Sequence, residues 1–187
     1  MGTPSVRRRI LDHTIPLIMT RGYNGFSYRD LSELVGVKTS SIHYYFPSKD
    51  DLVLEAVNEY SNNVLNSIQA IDAALPAETQ LAKYAELFDS TVGDGNQICL
   101  CSMLAADIGW LPESVRLALQ TFFMANENWL AKVLTQGLEE RPFAVNGTPE
   151  SAARMLYASY QGGMLASRLF RTETRLKEIK SACKIMT

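Results

Sequence analysis

The chain has 187 residues, 47% of them hydrophobic, which is enough apolar material for a globular core and excludes wholesale disorder. Its net charge of −2 is uneven, because residues 1–50 hold seven cations against four anions, a balance of +3, and the rest carries about −5. A basic N-terminal region on an acidic remainder is typical of a protein that binds a polyanion through that region alone.

The number of cysteines and the length of the apolar runs indicate the cellular compartment of the protein. The three cysteines have no framework spacing, which argues against a disulfide-stabilised secreted domain. No run approaches the roughly 20 apolar residues that a transmembrane helix needs, and Arg7–Arg9 are not followed by the apolar stretch of a signal peptide. We therefore expect a cytoplasmic protein with no membrane partner.

Helix-period patterns run through the chain and predict an all-α fold of about nine helices, with no convincing alternating strand. Capping residues mark several helix starts, such as Ser27 with Asp30 and Ser48 with Asp51, and Gly22 marks the end of the first helix. The predicted helices cover roughly residues 5–21, 27–35, 38–46, 49–68, 76–92, 98–109, 112–139, 149–171 and 173–185. The change from basic to acidic composition falls near residue 47.

Two short helices, 27–35 and 38–46, are joined by a turn at Gly36. This pattern is typical of a helix-turn-helix, whose second helix enters the DNA major groove. The residues placed to fill a three-helix core are Leu31, Leu34, Val37, Ile42 and Phe46. The residues that fall outside it are Thr39, Ser40, Ser41, His43 and Tyr44, which suit hydrogen bonds to phosphates and base edges. An ordinary solvated surface helix is the alternative interpretation.

An enzyme is the weaker interpretation of the same segment. His13 and His43 are the two histidines of the chain, and no nucleophile or carboxylate pair stands in a supporting arrangement. We therefore expect no catalytic residue, no metal site and no cofactor.

A series of ordered matches to a known family extends over residues 7–52. They are Ile10-Leu11, Arg21-Gly22-Tyr23, Phe26-Ser27, Arg29-Asp30-Leu31, Gly36-Val37 and Tyr45-Phe46-Pro47-Ser48-Lys49. This quarter of the chain resembles the DNA-binding region of TetR-family transcriptional regulators. The resemblance implies a homodimeric all-α regulator, usually a repressor, on a palindromic double-stranded DNA operator. It also implies a helix-turn-helix domain over 1–47 and a helical ligand-sensing and dimerisation domain over 48–187.

The resemblance also implies roles for residues by position. Those implied to line the reading helix are Thr39, Ser40, Ser41, His43 and Tyr44. Those implied to contact or position phosphates are Tyr28, Arg29, Tyr45 and Lys49, with Arg7–Arg9 close to the DNA backbone.

The family usually dimerises through its last two long helices. In this chain Ala158, Gly162 and Ala166 are spaced four apart and form a small-residue stripe that permits close helix approach. We expect this stripe at the dimer interface, and a contact within one subunit is the alternative.

The family's effector pocket lies in the helical body, where soft apolar side chains with a few polar groups are frequent. The candidate lining residues are Met103, Trp110, Phe122, Phe123, Met124, Trp129, Tyr157, Tyr160, Gln161 and Met164. For any one of them core packing is the alternative, but together they predict a pocket for an apolar or aromatic small molecule.

Cys99 follows the segment 93–96 at the expected start of a helix, where a thiol pKa can fall. This segment is similar to a subset of TetR-like regulators that sense reactive species through a cysteine at this place, so Cys99 and Cys101 are redox-sensing candidates. Burial as inert thiols is the alternative. The leading hypothesis is a repressor released by a small effector. The alternatives are a thiol-based electrophile sensor on the same scaffold and a helical small-molecule carrier without DNA binding.

Overall fold

The fold is described from a computed structural model over residues 4–92, 97–140 and 147–186, with only the backbone of 90, 92 and 183–186. Segment 93–96 and residues 142–146 of the predicted loop 142–147 lie outside these ranges. Nine α-helices and no strand occur in the described ranges, which confirms the all-α prediction. The helices are α1 Val6–Arg21, α2 Tyr28–Val35, α3 Thr39–Tyr45, α4 Lys49–Gln69, α5 Ala77–Val92, α6 Leu100–Ala106, α7 Glu113–Glu140, α8 Pro149–Phe170 and α9 Thr174–Met186.

The sixth helix differs from its prediction. An α-helix was predicted over 98–109, whereas α6 ends at Ala106 and a 3₁₀ turn, Ile108–Trp110, follows. Asp107 stands between them, and its carbonyl accepts the N–H of Trp110 at 2.9 Å. None of the helices in the described ranges is both long and apolar enough to cross a membrane.

The predicted capping boxes are present. At the start of α2, the Asp30 carboxylate accepts the Ser27 N–H at 2.7 Å, and the Ser27 hydroxyl accepts the Asp30 N–H at 3.3 Å. At the start of α4, Asp51 and Ser48 make the same two bonds at 3.1 and 3.2 Å. These bonds satisfy N–H groups that have no partner within the helix, and they fix where α2 and α4 begin.

The chain divides into two compact units, one of residues 1–62 with 100–120 and the other of 63–99 with 121–187. In the first unit, α1 packs on α2, α3 and α6; in the second, α8 packs on α5 and α9. The domain boundary predicted between residues 47 and 48 falls inside the first unit. The division into a DNA-binding domain and a ligand-sensing domain at this boundary stays a prediction.

The helix-turn-helix core largely follows the predicted pattern. Leu31, Ile42 and Phe46 are buried, but Leu34 is 51% exposed, so its predicted burial is wrong. The inward face of α2 is taken by Leu31 and Val35, which are four residues apart and therefore lie on one side of the helix.

Candidate nucleic-acid interface

The second helix of the motif, α3, is held by a left-handed turn and by buried anchors. Gly36 has a φ of 72°, a conformation that glycine adopts without the steric cost of a Cβ. Its N–H and that of Val37 both bond the carbonyl of Ser32, which closes α2. Ile42 and Phe46 then fix α3 from beneath, since both are buried. The opposite face of α3 is thereby turned outward.

The outward face of α3 carries the predicted polar and aromatic groups. Tyr44 is 80% exposed, and the rings of Tyr44 and Tyr45 meet edge to face at 5.1 Å. His43 and Ser40 are exposed, while Thr39 and Ser41 are partly exposed. An open cavity of about 290 Å³ beside α3 is lined by Val6, Val37, Ser40, Ser41, Tyr44 and Tyr45. This surface offers hydroxyl and ring nitrogen groups that can bond phosphate oxygens and base edges.

Tyr28 lies beneath this surface. Its ring is buried, and its hydroxyl donates toward the carbonyls of Ser48, at 2.5 Å, and Phe46, at 2.9 Å. Burial is the main reason that its pKa rises to about 12, so the hydroxyl keeps its proton. The ring also contacts that of His43, with centroids 4.7 Å apart. Tyr28 was predicted either to contact a phosphate or to position one. These contacts favour a positioning role, because they hold the end of α3.

Lys49, the first residue of α4, also makes contacts within the protein. Its Nζ donates to the carbonyl of Phe26 at 2.6 Å and lies over the rings of Phe26, at 4.2 Å, and Tyr23, at 4.6 Å. Burial lowers its pKa, an effect opposed by Asp30 and other nearby carboxylates. These contacts hold the α1–α2 turn against α4, and the predicted phosphate contact stays a prediction.

The basic cluster at the start of α1 is largely engaged within the protein. Arg7 pairs with Glu55, Arg8 pairs with Glu59 at 2.9 Å, and Arg9 donates to a backbone carbonyl of α2. The positive balance of the N-terminal region therefore overstates the charge that is available to a polyanion.

Arg29 on α2 is different from this cluster. Its side chain is 87% exposed, and its ion pair with Glu33 is long, at 3.4 Å. Pairs of this kind at a surface contribute little energy, so Arg29 remains accessible to a phosphate.

The second unit brings several predicted effector residues into an aromatic cluster. Trp129 stacks on Tyr84 at 5.2 Å, and Tyr160 contacts Phe88 at 4.9 Å. The Tyr84 hydroxyl donates to Asn126 at 2.9 Å, which provides a buried polar group. Tyr84, Phe88 and Asn126 were not among the predicted residues. Tyr84 and Phe88 are four apart, and that spacing is the signal that could have found them.

The other effector candidates are placed as follows. Phe123 lies between Phe122, at 6.3 Å, and Tyr157, at 5.3 Å. On α8, Met164 is buried and Gln161 is partly exposed, whereas Met124 on α7 is exposed. Met103 and Trp110 belong to the first unit, where Trp110 is 73% exposed. The predicted set is thus divided between the two units.

The two redox candidates flank the start of α6. Cys99 immediately precedes α6, and so lies just outside the helix rather than within the predicted span 98–109, and Cys101 lies in the first turn. Both side chains are buried, and the Cys101 sulfur is 3.8 Å from the Ser61 hydroxyl. Access of a reagent to either thiol is therefore restricted.

One face of α8 is exposed along its length, although it is apolar. Gly162 faces open space: among the described residues, no atom beyond its chain neighbours and the nearby backbone of α8 lies within 4 Å of where a Cβ would be. Exposed residues at heptad-like spacing on this face are Met155, Ala158, Gly162, Leu165 and Leu169, and the predicted Ala166 lies partly exposed at its edge. The adjacent Gly163 instead packs against α9, where a Cβ would lie 2.9 Å from the Ile179 side chain.

In this helix-turn-helix, buried residues hold α3 from beneath and its polar side chains face outward. This is the arrangement of a DNA-binding regulator. The family model for bacterial regulatory proteins of the tetR family matches residues 10–56. A solved TetR-family regulator from Agrobacterium tumefaciens is 31% identical, covers 96% of this chain and 95% of its own, and superimposes with a TM-score of 0.91. A TetR regulator from Legionella pneumophila is 30% identical, covers 97% and 96%, and has a TM-score of 0.86.

A curated relative, the HTH-type transcriptional repressor DhaR of Mycobacterium sp. (strain GP1), is 24% identical over 95% of this chain and 90% of its own. The chain belongs to the TetR family of bacterial regulatory proteins. A ligand-responsive, DNA-binding transcriptional repressor is the function that this membership supports.

Proposed function

We propose that this protein is a repressor that binds a palindromic operator as a homodimer through α3 and leaves it when a small apolar or aromatic effector binds the helical body. The observation that carries the proposal is the geometry of α3, whose buried anchors Ile42 and Phe46 turn Tyr44, His43 and Ser40 outward together. Since operator DNA lies in the bacterial cytoplasm, the protein acts there.

The α8 face supports the homodimer. A heptad-like row of exposed apolar residues is the pattern of a helix that packs against a partner helix, and Gly162 at its centre allows close approach. Two copies joined in this way present two α3 helices to half-sites about one DNA turn, roughly 34 Å, apart. The operator should be palindromic because the two copies of a homodimer are related by a two-fold axis, so that the two half-sites are inverted copies of each other.

The aromatic cluster around Tyr84 supports the effector class. Flat rings favour apolar or aromatic ligands, and Asn126 supplies a polar group for orientation. The homodimer is expected to exist in two conformations that differ in the spacing of the two α3 helices. An effector that binds more tightly to the conformation whose spacing does not fit the operator increases the population of that conformation and lowers operator affinity. The buried state of Cys99 and Cys101 does not favour the thiol-sensor alternative.

Selection from a randomised library of DNA duplexes, followed by gel-shift titration, tests the proposal. Wild-type protein should enrich a palindrome, and Tyr44→Ala should weaken its binding about tenfold or more while the thermal unfolding midpoint is unchanged. Leu117→Ala is the control, because it truncates a half-exposed apolar side chain elsewhere in the same unit. Failure to enrich any sequence, or equal affinity for Tyr44→Ala, would refute the proposal.

A further inference from the structure

His43 is an outward residue of α3 whose hydrogen-bonding direction is set by the protein. Its side chain is exposed, and its Nδ1 lies 3.4 Å from the backbone carbonyl oxygen of Pro47, four residues further along the chain. A carbonyl oxygen only accepts, so this contact places the single ring proton of the neutral imidazole on Nδ1. Nε2 then carries a lone pair, and no other hydrogen bond of this ring occurs among the described residues.

Tyr28 holds both partners of this contact in place. Its buried ring lies against that of His43, with centroids 4.7 Å apart. Its hydroxyl donates toward the carbonyls of Phe46 and Ser48, which flank Pro47 on either side. Because the imidazole and its acceptor are both held before DNA arrives, less freedom is lost when Nε2 forms a bond.

The imidazole differs from the other members of the predicted reading set, which carry hydroxyls: Thr39, Ser40, Ser41 and Tyr44. A hydroxyl rotates to donate or to accept, and so it bonds either kind of group on a base edge. With its proton on Nδ1, the neutral His43 ring only accepts at Nε2. In the major groove the donors are the exocyclic amino groups of adenine and cytosine, whereas guanine presents two acceptors.

We propose that Nε2 of His43 accepts a hydrogen bond from the exocyclic amino group of an adenine or cytosine, and so selects the base at one position in each half-site. The proposal rests on the DNA-binding part of the proposed function and specifies what one residue of α3 reads. His43 contacts the base in this proposal, and Tyr28 is a positioning residue. A guanine at the same point would set an acceptor against the lone pair of Nε2 and is rejected.

The experiment removes single amino groups from the duplex enriched in the selection. Purine replaces each adenine and 2-pyrimidinone replaces each cytosine in turn, in both half-sites, and gel-shift titrations are made at about pH 8, where imidazoles are ordinarily neutral. Wild-type affinity should fall about fivefold or more at one position, the lower end of the usual effect of a base contact. His43→Ala should show no such fall there and should keep those at other positions. His13→Gln, which removes the other histidine of the chain, should respond as the wild type.

Two further measurements test the direction of the bond. Replacement of purines by 7-deazapurines removes an acceptor from the groove, and it should affect the wild type and His43→Ala equally. Nitrogen NMR of histidine-labelled protein reports which ring nitrogen carries the proton, and comparison with His13→Gln identifies the signals of His43. We expect a protonated Nδ1 and an unprotonated Nε2, both in the free protein and on the duplex.

A proton on Nε2 in the complex overturns the proposal, as does a response to amino removal that the wild type and His43→Ala share at every position. A response to 7-deazapurines that is lost in His43→Ala also overturns it, because the ring would then donate. His43→Phe, which keeps a ring against Tyr28, replaces His43→Ala if that variant does not fold. Loss of all DNA binding in either folded variant would assign His43 to the support of α3 as a whole, against the proposal. If no duplex is enriched, the proposed function itself is refuted, whereas an enriched duplex without a loss that depends on His43 refutes the reading role alone.

Discussion

At the scale of single residues, Arg29 and Lys49 are both cations of the helix-turn-helix, but their surroundings differ. Arg29 is exposed on α2, whereas the ammonium group of Lys49 lies against two aromatic rings and the carbonyl of Phe26. The family resemblance implied that both contact or position phosphates. It could not separate them, because the exposure of a cation depends on which rings and carbonyls the fold brings to it.

Substitution of the two cations separates phosphate binding from packing. Arg29→Gln should reduce the slope of log affinity against log salt concentration by about 0.9 per subunit, since one phosphate contact is lost. Lys49→Met should lower the free energy of unfolding by about 1–2 kcal/mol through loss of the hydrogen bond and the cation–π contacts. Gel-shift titrations over a salt series and thermal denaturation measure the two effects. A reduced salt slope with unchanged stability in Lys49→Met would assign this lysine to phosphate alone.

At the scale of elements, the start of α2 depends on pH through its capping box. Hydrogen bonds from the hydroxyl and N–H of Ser27 lower the pKa of Asp30 below 3.8. A carboxylate with a lowered folded-state pKa contributes stability above its unfolded pKa and loses it as the pH falls through the folded value.

Asp30→Asn should therefore be less stable than the wild type near pH 7, and the difference in unfolding midpoint should shrink below about pH 4. Thermal denaturation monitored by circular dichroism between about pH 3 and pH 7 measures it. A difference that stays constant over this range would show that the Asp30 charge does not contribute. Glu33→Gln serves as the control, since Glu33 is on the same helix without a capping role.

Two adjacent glycines of α8 are expected to respond in opposite directions. A Cβ at Gly163 would lie 2.9 Å from Ile179 Cδ1 and 3.1 Å from Leu176 Cδ1, so Gly163→Ala should displace the ends of these two side chains and destabilise the subunit by up to about 1 kcal/mol. A Cβ at Gly162 meets no atom within 4 Å, so Gly162→Ala should stabilise the isolated subunit by up to about 1 kcal/mol through helix propensity. Urea denaturation compares the pair. Equal effects would contradict the packing described for α8 and α9.

At the scale of the whole molecule, the exposed apolar face of α8 is expected to be covered by a second copy. Leu165 is 57% exposed on this face, next to Gly162 in the row, so Leu165→Asp would bury a charge in the interface. We expect this variant to be monomeric in analytical ultracentrifugation and to lose operator affinity by more than about a hundredfold. Gln69→Glu, which adds a charge at an exposed position of α4, should remain dimeric. A dimeric Leu165→Asp protein would place the interface elsewhere.

The sequence by itself determined the positions of the helices, apart from the extent of α6, and the capping boxes of α2 and α4, because helix periodicity and capping are local properties set by residues within a few positions of one another. It also determined which face of α3 is outward, since Ile42 and Phe46 anchor the opposite side. Only the tertiary structure decided which glycine of α8 meets α9 and which cation is enclosed. It alone also revealed the bonds from the Tyr28 hydroxyl to the carbonyls of Phe46 and Ser48, which lie 18 and 20 positions away and which no local pattern encodes.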